Sequence, residues 1–231
     1  MFLAGGPAFS GTTLLAHLLN QGNLLCLDEP DFEKRGQDHR GLYVLQQLYP
    51  AARFPPRPPG KLSYVGAFRW TRAIEKCIPP INLGTKTCDW DFLRYALIYR
   101  AHRLPVIAII RDIRDALVRP LPPWMDEAGL NKRYRLIWHF RPLYNVCLRY
   151  EDLVQQPERE LVKLARVLRQ PLIALHAWDP MSVHAPMLKL DRHALLTTGA
   201  LATNRVGIWK QSDYPFSAQT LETATLMKYS M

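Results

Sequence analysis

A short apolar strand, a glycine-rich turn and an apolar helix follow one another at the amino terminus. Met1–Gly5 is a brief apolar run, as expected for a buried strand. The turn Gly6–Thr13 reads Gly-Pro-Ala-Phe-Ser-Gly-Thr-Thr, and the apolar-rich segment Leu14–Asn20 follows it as a predicted helix. Such a turn points successive backbone N–H groups inward, and the helix dipole adds positive potential there. The amino terminus therefore predicts a phosphate-binding loop after the first strand.

One residue of this turn narrows the kind of phosphate it is expected to bind. The spacing from Gly6 to Gly11 matches a Walker A loop, but Thr12 occupies the position of the motif's lysine. Kinases and ATPases use that lysine to hold the β- and γ-phosphates of a nucleoside triphosphate. The loop is therefore expected to bind a phosphate that is not a γ-phosphate. A P-loop kinase of a small molecule stays open as a rival class of enzyme.

Length and composition favour a single globular α/β domain over residues 1–231. The chain is 48% hydrophobic and 22% charged, which is enough apolar material for a full core. No apolar run is long enough to cross a membrane, and no leader precedes the first strand, so a cytoplasmic location is expected. The cysteines lack metal-ligand spacing, which predicts reduced thiols and no metal site; they are Cys26, Cys77, Cys88 and Cys147.

The balance of charge predicts an anionic ligand. The formal net charge is +10, which suits nucleic acid, an anionic membrane surface or a highly phosphorylated small molecule, although a solvated basic surface is the simpler interpretation. The arginines stand inside motifs and not in runs, which favours discrete anion sites. No nucleic-acid recognition motif is present, so a nucleic-acid partner is not expected.

Strands and helices alternate along the chain, which predicts a three-layer α/β fold with a mainly parallel central sheet between helices. The expected strands are Met1–Gly5, Leu24–Leu27, Ile81–Gly84, Val106–Ile110 and Tyr144–Arg149. The expected helical segments are 11–21, 40–49, 67–77, 89–101, 112–118, 126–141 and 157–169. The proline-rich segment Tyr49–Gly60 is expected to be an irregular surface loop.

A second anion site is expected where the strand Val106–Ile110 ends. Arg111 follows that strand directly, and ligands of open α/β sheets bind at the carboxyl ends of the strands. Arg111 and the loop Gly6–Thr13 should then share one rim. Arg119 lies two turns further on, and two converging guanidinium groups would suit a second phosphate. The alternative is that Arg111, Asp112, Arg114 and Asp115 form surface ion pairs at the start of a helix.

Two later segments extend this pattern. Cys147–Glu158 (Cys-Leu-Arg-Tyr-Glu-Asp-Leu-Val-Gln-Gln-Pro-Glu) is a predicted strand end followed by a helix with Pro157 in its first turn. Asn204–Lys210 brings together Arg205, Gly207 and Trp209. A basic loop with a glycine and an aromatic side chain suits closure over the phosphate and base of a nucleotide. The alternative for this loop is an ordinary turn with an anchoring tryptophan.

Taken in order, these segments resemble the sulfotransferases that use 3′-phosphoadenosine 5′-phosphosulfate (PAPS). Gly5–Thr13 resembles the family's Gly-x-Pro-Arg/Lys-Ser-Gly-Thr-Thr, and Arg111–Arg119 resembles its Arg-Asp-Pro-Arg-Asp segment. Arg149–Leu153, followed by Pro-Glu at 157–158, matches Arg-Tyr-Glu-Asp-Leu, and Arg205–Lys210 resembles the late Gly-x-Trp loop. The resemblance covers residues 2–210 and implies PAPS as co-substrate, a P-loop-like fold and no metal.

The resemblance also implies roles for individual residues in holding the donor. Ser10, Gly11, Thr12 and Thr13 would hold the 5′-phosphate, within a donor loop that also contains Pro7 and Phe9. Arg111 would hold the 3′-phosphate with Arg205 and the backbone of Gly207, and Arg119 stands where the family has a serine. Tyr150 would reach the adenine side, and Trp209 belongs to the loop that closes over the nucleotide.

For catalysis, the resemblance implies a carboxylate base after the second strand. Glu29 in Leu-Asp-Glu-Pro is the candidate for that base, with Asp28 as the runner-up and a carboxylate pair in a surface turn as the alternative. Lys86 in Gly-Thr-Lys-Thr-Cys is the candidate catalytic cation, and a solvated loop lysine is the alternative. Phe9 replaces the family's cation before Ser10, so a catalytically inactive nucleotide-binding protein is the second rival. The implied reaction is sulfuryl transfer to a hydroxyl of a carbohydrate, a glycolipid or another small metabolite.

Overall fold

Five parallel strands form the centre of the molecule. The computed structural model describes residues 1–28, 40–78, 80–171 and 205–229. The strand order is β2-β3-β1-β4-β5, and every neighbouring pair is parallel. The strands are β1 Phe2–Gly6, β2 Leu24–Asp28, β3 Asn82–Cys88, β4 Val106–Ile110 and β5 Val146–Arg149. This arrangement confirms the predicted α/β fold with a parallel sheet between helices.

Helices cover both faces of the sheet. The α-helices are α1 Thr12–Leu18, α2 Arg40–Leu48, α3 Tyr64–Glu75, α4 Asp89–Ala101, α5 Ile113–Leu117, α6 Glu127–His139, α7 Tyr150–Gln155, α8 Pro157–Leu168 and α9 Ala218–Leu226. Short 3₁₀ turns lie at Arg141–Leu143 and Ile208–Gln211. None of the helices in the described ranges is long and apolar enough to span a bilayer.

Alternation along the strands divides the core between the two faces. Phe2 and Ala4 pack with the leucines of α1, α7 and α8, whereas Leu3 packs with the aromatic side chains of α3 and α4. A third apolar cluster joins α5, α6 and α9. Because the interior strand β4 is buried on both faces, Val106–Ile110 is apolar without alternation. The sheet thus carries the carboxyl ends of β1, β3 and β4 side by side.

Strand β3 corrects one prediction that concerns the site. The sequence predicted a strand over Ile81–Gly84 with Lys86 in the loop after it, but β3 continues to Cys88. Thr85, Lys86 and Thr87 pair in register with β1 on one side, and the first two also pair with β2 on the other. The β-branched threonines favour the extended conformation, and ladder pairing on both sides outweighs the polarity of the segment. Lys86 is therefore fixed within the sheet.

Smaller differences concern the ends of elements. Tyr150–Gln155 is a helix of its own before α8, and α9 was not predicted because its threonine-rich sequence lacks a clear apolar period. Helix α5 ends at Leu117, so Arg119 lies beyond it and not on its second turn. The segment Tyr49–Gly60 contains no helix or strand, as predicted.

Candidate functional site

The predicted phosphate loop occupies the turn between β1 and α1. Phe9 and Gly11 both have left-handed backbone conformations, with φ of 65° and 96°. The Ser10 N–H donates to the Pro7 carbonyl at 3.3 Å, and the Ala8 N–H donates to Asp89 Oδ1 at 2.9 Å. The loop is thus a tight turn that is tied to the start of α4. The side chain of Phe9 packs against the apolar cluster under α5 and α9, and it supplies no charge.

Ser10 carries an unsatisfied polar atom in this loop. Its side chain is fully buried, and within the described ranges its Oγ has no hydrogen-bond partner. Buried hydroxyl groups are normally paired, because an unpaired one loses its hydrogen bonds to water without replacement. Thr12 is also buried, whereas Thr13 is only partly so. The Ser10 hydroxyl therefore lacks, among the described residues, the partner that a buried hydroxyl normally has.

Gly11 lies against the ring of Tyr150. A Cβ atom added at Gly11 would lie 2.5 Å from Tyr150 Cδ2, closer than real side chains approach each other. Tyr150 is itself nearly buried, at the first position of α7. This contact joins the phosphate loop to the Arg-Tyr-Glu-Asp segment, which is more than a hundred residues away in sequence. It places Tyr150 beneath the loop as a packing partner.

Replacing Gly11 with alanine is expected to destabilise the protein by about 1–3 kcal/mol, because it adds both a positive-φ penalty and a clash with Tyr150. Thermal denaturation measures this loss. Gly22 also has a positive φ, but its Cβ would meet no atom within 4 Å. Gly22→Ala is therefore the matched control, and a loss in Gly11→Ala no larger than in this control would contradict the contact with Tyr150.

Lys86 lies under the phosphate loop on the same face of the sheet as α1. Its side chain is 2% exposed. Lys86 Nζ lies 3.8 Å from Cys88 Sγ, which in turn lies 3.4 Å from Thr12 Oγ1. One thiol thus separates the ammonium group from the first residue of α1. The Lys86 ammonium group is therefore connected to the loop through two side-chain contacts.

Arg111 is a buried arginine at the carboxyl end of β4, as the sequence predicted. Its guanidinium group lies 4.5 Å from the centre of the Tyr150 ring, donates to the Arg205 carbonyl and lies 3.6 Å from Asp115 Oδ2. Its Nε has no hydrogen-bond partner among the described residues. Arg111 is therefore held in place by these three contacts, with one buried N–H left unsatisfied among the described residues.

Arg119 and Arg205 bring two further positive charges to Arg111. Partial burial and the repulsion from Arg111 and Arg205 together lower the pKa of Arg119 below its ordinary value. Within the described part of the chain, no carboxylate forms an ion pair with Arg119 or Arg205. Among the described carboxylates, Asp115 alone lies at ion-pair distance from a member of the cluster, and that member is Arg111. Three arginines around one carboxylate leave an excess of positive charge beside the phosphate loop.

The loop after Arg205 is attached to α5. The N–H groups of Gly207 and Trp209 donate to the two oxygens of Asp115, at 2.8 and 3.1 Å. The Arg114 guanidinium lies 3.7 Å from the centre of the Trp209 ring. The sequence predicted that Arg205, Gly207 and Trp209 form one nucleotide loop, and the structure brings all three against the Arg111 segment.

Several residues of the site escape sequence reasoning. From the sequence, Asp115 was considered only as a member of surface ion pairs, but it is fully buried beside Arg111. Glu151 had no individual role, yet it accepts from the Asp112 N–H at 2.9 Å and from the Tyr229 hydroxyl at 3.0 Å. Burial raises the pKa of Glu151 despite these hydrogen bonds. Cys88 was expected to be a simple thiol, but it lies between Lys86 and the loop. The sequence signal that they share is position, since Cys88 ends β3, Glu151 follows the end of β5 by two residues, and Asp115 lies in the helix that follows β4.

The structure thus groups most of the predicted site residues at one rim of the sheet. The residues on or beneath it are Pro7, Phe9, Ser10, Gly11, Thr12, Thr13, Lys86, Arg111, Arg119, Tyr150, Arg205, Gly207 and Trp209. Glu29, the predicted base, lies outside the described residues, directly after the last residue of β2. Asp28 is described only as that strand end.

Comparison with known proteins gives a structural match and no match by sequence. No family model and no curated protein matches the chain. Among solved structures, the chain is similar to the sulfotransferase domain from the olefin synthase of Synechococcus PCC 7002, with a TM-score of 0.63 and 15% sequence identity. The match covers 100% of this chain and 94% of that one. The chain therefore has the fold of a sulfotransferase domain.

Proposed function

We propose that this protein is a PAPS-dependent sulfotransferase that acts on an acceptor hydroxyl. The observation that carries the proposal is the group of Arg111, Arg119 and Arg205 beside the phosphate loop. Like charges held close together repel one another, and burial adds to the cost. A bound polyanion would offset both the repulsion and the cost of burial. A nucleotide with phosphates at two positions matches a site that has a phosphate loop and a separate arginine cluster.

The proposed donor site assigns each phosphate to one part of the rim. The 5′-phosphate would lie in the loop, within reach of Ser10 Oγ and the N–H groups at the start of α1. The 3′-phosphate would lie among the arginines, with Arg111 Nε as the buried donor that this ligand would satisfy. Both Ser10 and Arg111 then gain the partner that each lacks among the described residues. No γ-phosphate is needed, which accounts for threonine in place of the Walker lysine.

The proposed reaction is an in-line displacement at sulfur. The acceptor oxygen forms a bond to sulfur while the bond from sulfur to the bridging oxygen of the 5′-phosphate breaks. The electron pair of that bond stays on the phosphate oxygen, and the acceptor's proton passes to Glu29. Lys86 would stabilise the negative charge that develops on the leaving oxygen. In the family that the chain resembles, a cation just before the serine of the loop has this role, and Phe9 occupies its position here. The proposed steps require no metal.

The proposed acceptors are a carbohydrate, a glycolipid or another small hydroxyl-bearing metabolite. This class rests on the Glu-Pro pair after β2, which resembles sulfotransferases acting on sugars or tyrosyl groups. The kinase alternative lacks the Walker lysine. The alternative of an inactive nucleotide-binding protein rests on Phe9, and Lys86 beneath the loop supports the enzyme against it.

Calorimetry with adenosine 3′,5′-bisphosphate and AMP without metal, and with ATP both without and with Mg²⁺, tests the donor assignment. We expect the bisphosphate to bind much more tightly than AMP, because only its 3′-phosphate reaches the arginine cluster. Arg111→Ala should weaken bisphosphate binding by about 2–3 kcal/mol, the range for a charge-assisted hydrogen bond. The exposed Arg69 on α3 gives the control Arg69→Ala, with the same change in net charge.

Equal affinities of the wild-type protein for AMP and for the bisphosphate would contradict the assignment of the 3′-phosphate to the arginine cluster. Tight, Mg²⁺-dependent binding of ATP would favour the kinase instead. Bisphosphate binding without sulfuryl transfer to any of a panel of sugar, glycolipid and phenolic acceptors would favour the inactive nucleotide-binding protein.

A further inference from the structure

Asp115 is a fully buried carboxylate whose two oxygens are both used. Oδ2 accepts from the Gly207 N–H at 2.8 Å and lies 3.6 Å from Arg111 Nη2, while Oδ1 accepts from the Trp209 N–H at 3.1 Å. Two of these contacts are to backbone groups of one loop, and the third is to the central arginine of the cluster. A single side chain therefore connects the loop at 205–211 to Arg111.

Further contacts attach the same loop to the same helix. The Arg205 carbonyl accepts a hydrogen bond from Arg111. Arg114 packs its guanidinium against the Trp209 ring, and Asp112 holds that guanidinium through Nε at 3.0 Å and Nη2 at 2.7 Å. The side chain of Arg205 is thereby carried by a loop whose backbone is fixed on both sides of Gly207.

From this geometry we infer that Asp115 is a positioning residue for recognition of the donor's 3′-phosphate. By holding the backbone at Gly207 and Trp209, it keeps Arg205 beside Arg111 so that both face one anion. The inference rests on the proposed function, since it assumes that the arginine cluster binds that phosphate. Selectivity for the 3′-phosphate would then depend on the carboxylate of Asp115, whose own negative charge repels that phosphate.

Two effects of Asp115 on an anion have opposite signs, which makes the inference testable. Its negative charge alone weakens anion binding, so neutralising it would tighten binding if charge were its only role. Its hydrogen bonds hold the loop, so losing them would weaken binding if positioning dominates. Asparagine has one acceptor oxygen, and its amide N–H₂ would face one of the two backbone N–H groups.

The experiment measures the affinities of Asp115→Asn for adenosine 3′,5′-bisphosphate and for AMP. We expect the preference for the bisphosphate over AMP to fall about tenfold or more, with AMP affinity nearly unchanged. General loss of stability would reduce both affinities and leave the ratio in place. Glu222→Gln is the control for net charge, because Glu222 is an exposed carboxylate on α9 paired with Arg135.

A variant on the loop side gives the answer if Asp115→Asn does not fold. Gly207 has φ of 71°, and its Cβ would meet only Lys210 Cδ at 4.0 Å, so Gly207→Ala strains the loop without a clash. It should also lower the preference for the bisphosphate.

The outcomes separate the two proposals. A wild-type protein without that preference overturns the proposed function. A preference that is present in the wild type and kept or increased in the folded variant overturns the role of Asp115 alone.

Discussion

Lys86→Met is expected to lower the rate of sulfuryl transfer by about 10²–10³-fold, the range for removing one preorganised charge from a developing oxyanion. Binding of adenosine 3′,5′-bisphosphate should change much less, because the arginine cluster is untouched. Methionine is close to lysine in length and is apolar, so it suits a side chain that is 2% exposed within β3. Initial rates at saturating donor, together with calorimetry, separate the two effects.

The expectation follows from where β3 places this ammonium group. Lys86 pairs in register with Ala4 of β1 and Asp28 of β2. It lies two positions before Cys88, whose thiol contacts Thr12. Strand pairing on both sides fixes its backbone, so the cation costs little reorganisation when charge develops. Phe9 leaves the loop without a charge of its own, and Lys86 is the cation that we propose for this task.

Lys76→Met is the matched control, because Lys76 is an exposed lysine at the end of α3, before β3 begins. It should retain wild-type turnover. Full turnover in Lys86→Met would show that the leaving oxygen needs no charge from β3. The case for an enzyme would then need another cation, and Lys210 in the 205–211 loop would be the next to test.

The parts of the site that sequence predicts are those built from consecutive residues. A strand, a glycine-rich turn and a helix occupy one continuous segment, so the local pattern alone is enough to locate the loop at 6–13. The position of Arg111 follows from the rule that parallel sheets bind ligands at the carboxyl ends of their strands. Both lie on the same rim.

The parts that sequence does not reveal depend on contacts between distant segments. Asp115 and Gly207 are 92 positions apart, and nothing in either local sequence indicates that the Gly207 N–H donates to the Asp115 carboxylate. The polar sequence Thr-Lys-Thr-Cys makes a loop around Lys86 the simpler expectation, whereas pairing with β1, and with β2 as far as Lys86, continues the strand to Cys88. Tyr150 was expected at the adenine, and its packing on Gly11 depends on the meeting of two distant segments.

Glu29→Gln is expected to lower turnover by about 10²–10⁴-fold while bisphosphate affinity stays near the wild-type value, as for loss of a general base. Glu29 follows Asp28, the last residue of β2, and Asp28 pairs in register with Lys86. The strand that leads to the proposed base thus ends beside the strand that carries the proposed cation. Acid–base chemistry and leaving-group stabilisation would then come from neighbouring strands.

The pH–rate profile distinguishes a base from a residue that only supports the loop. A general base works in its ionised form, so wild-type kcat/KM should fall towards acidic pH, and this acidic limb should disappear in Glu29→Gln. Asp28→Asn is the matched comparison, with the same charge change one residue earlier, and should retain the limb. A limb lost in Asp28→Asn and kept in Glu29→Gln would assign the base to Asp28. Retention in both variants would mean that neither carboxylate accepts the proton.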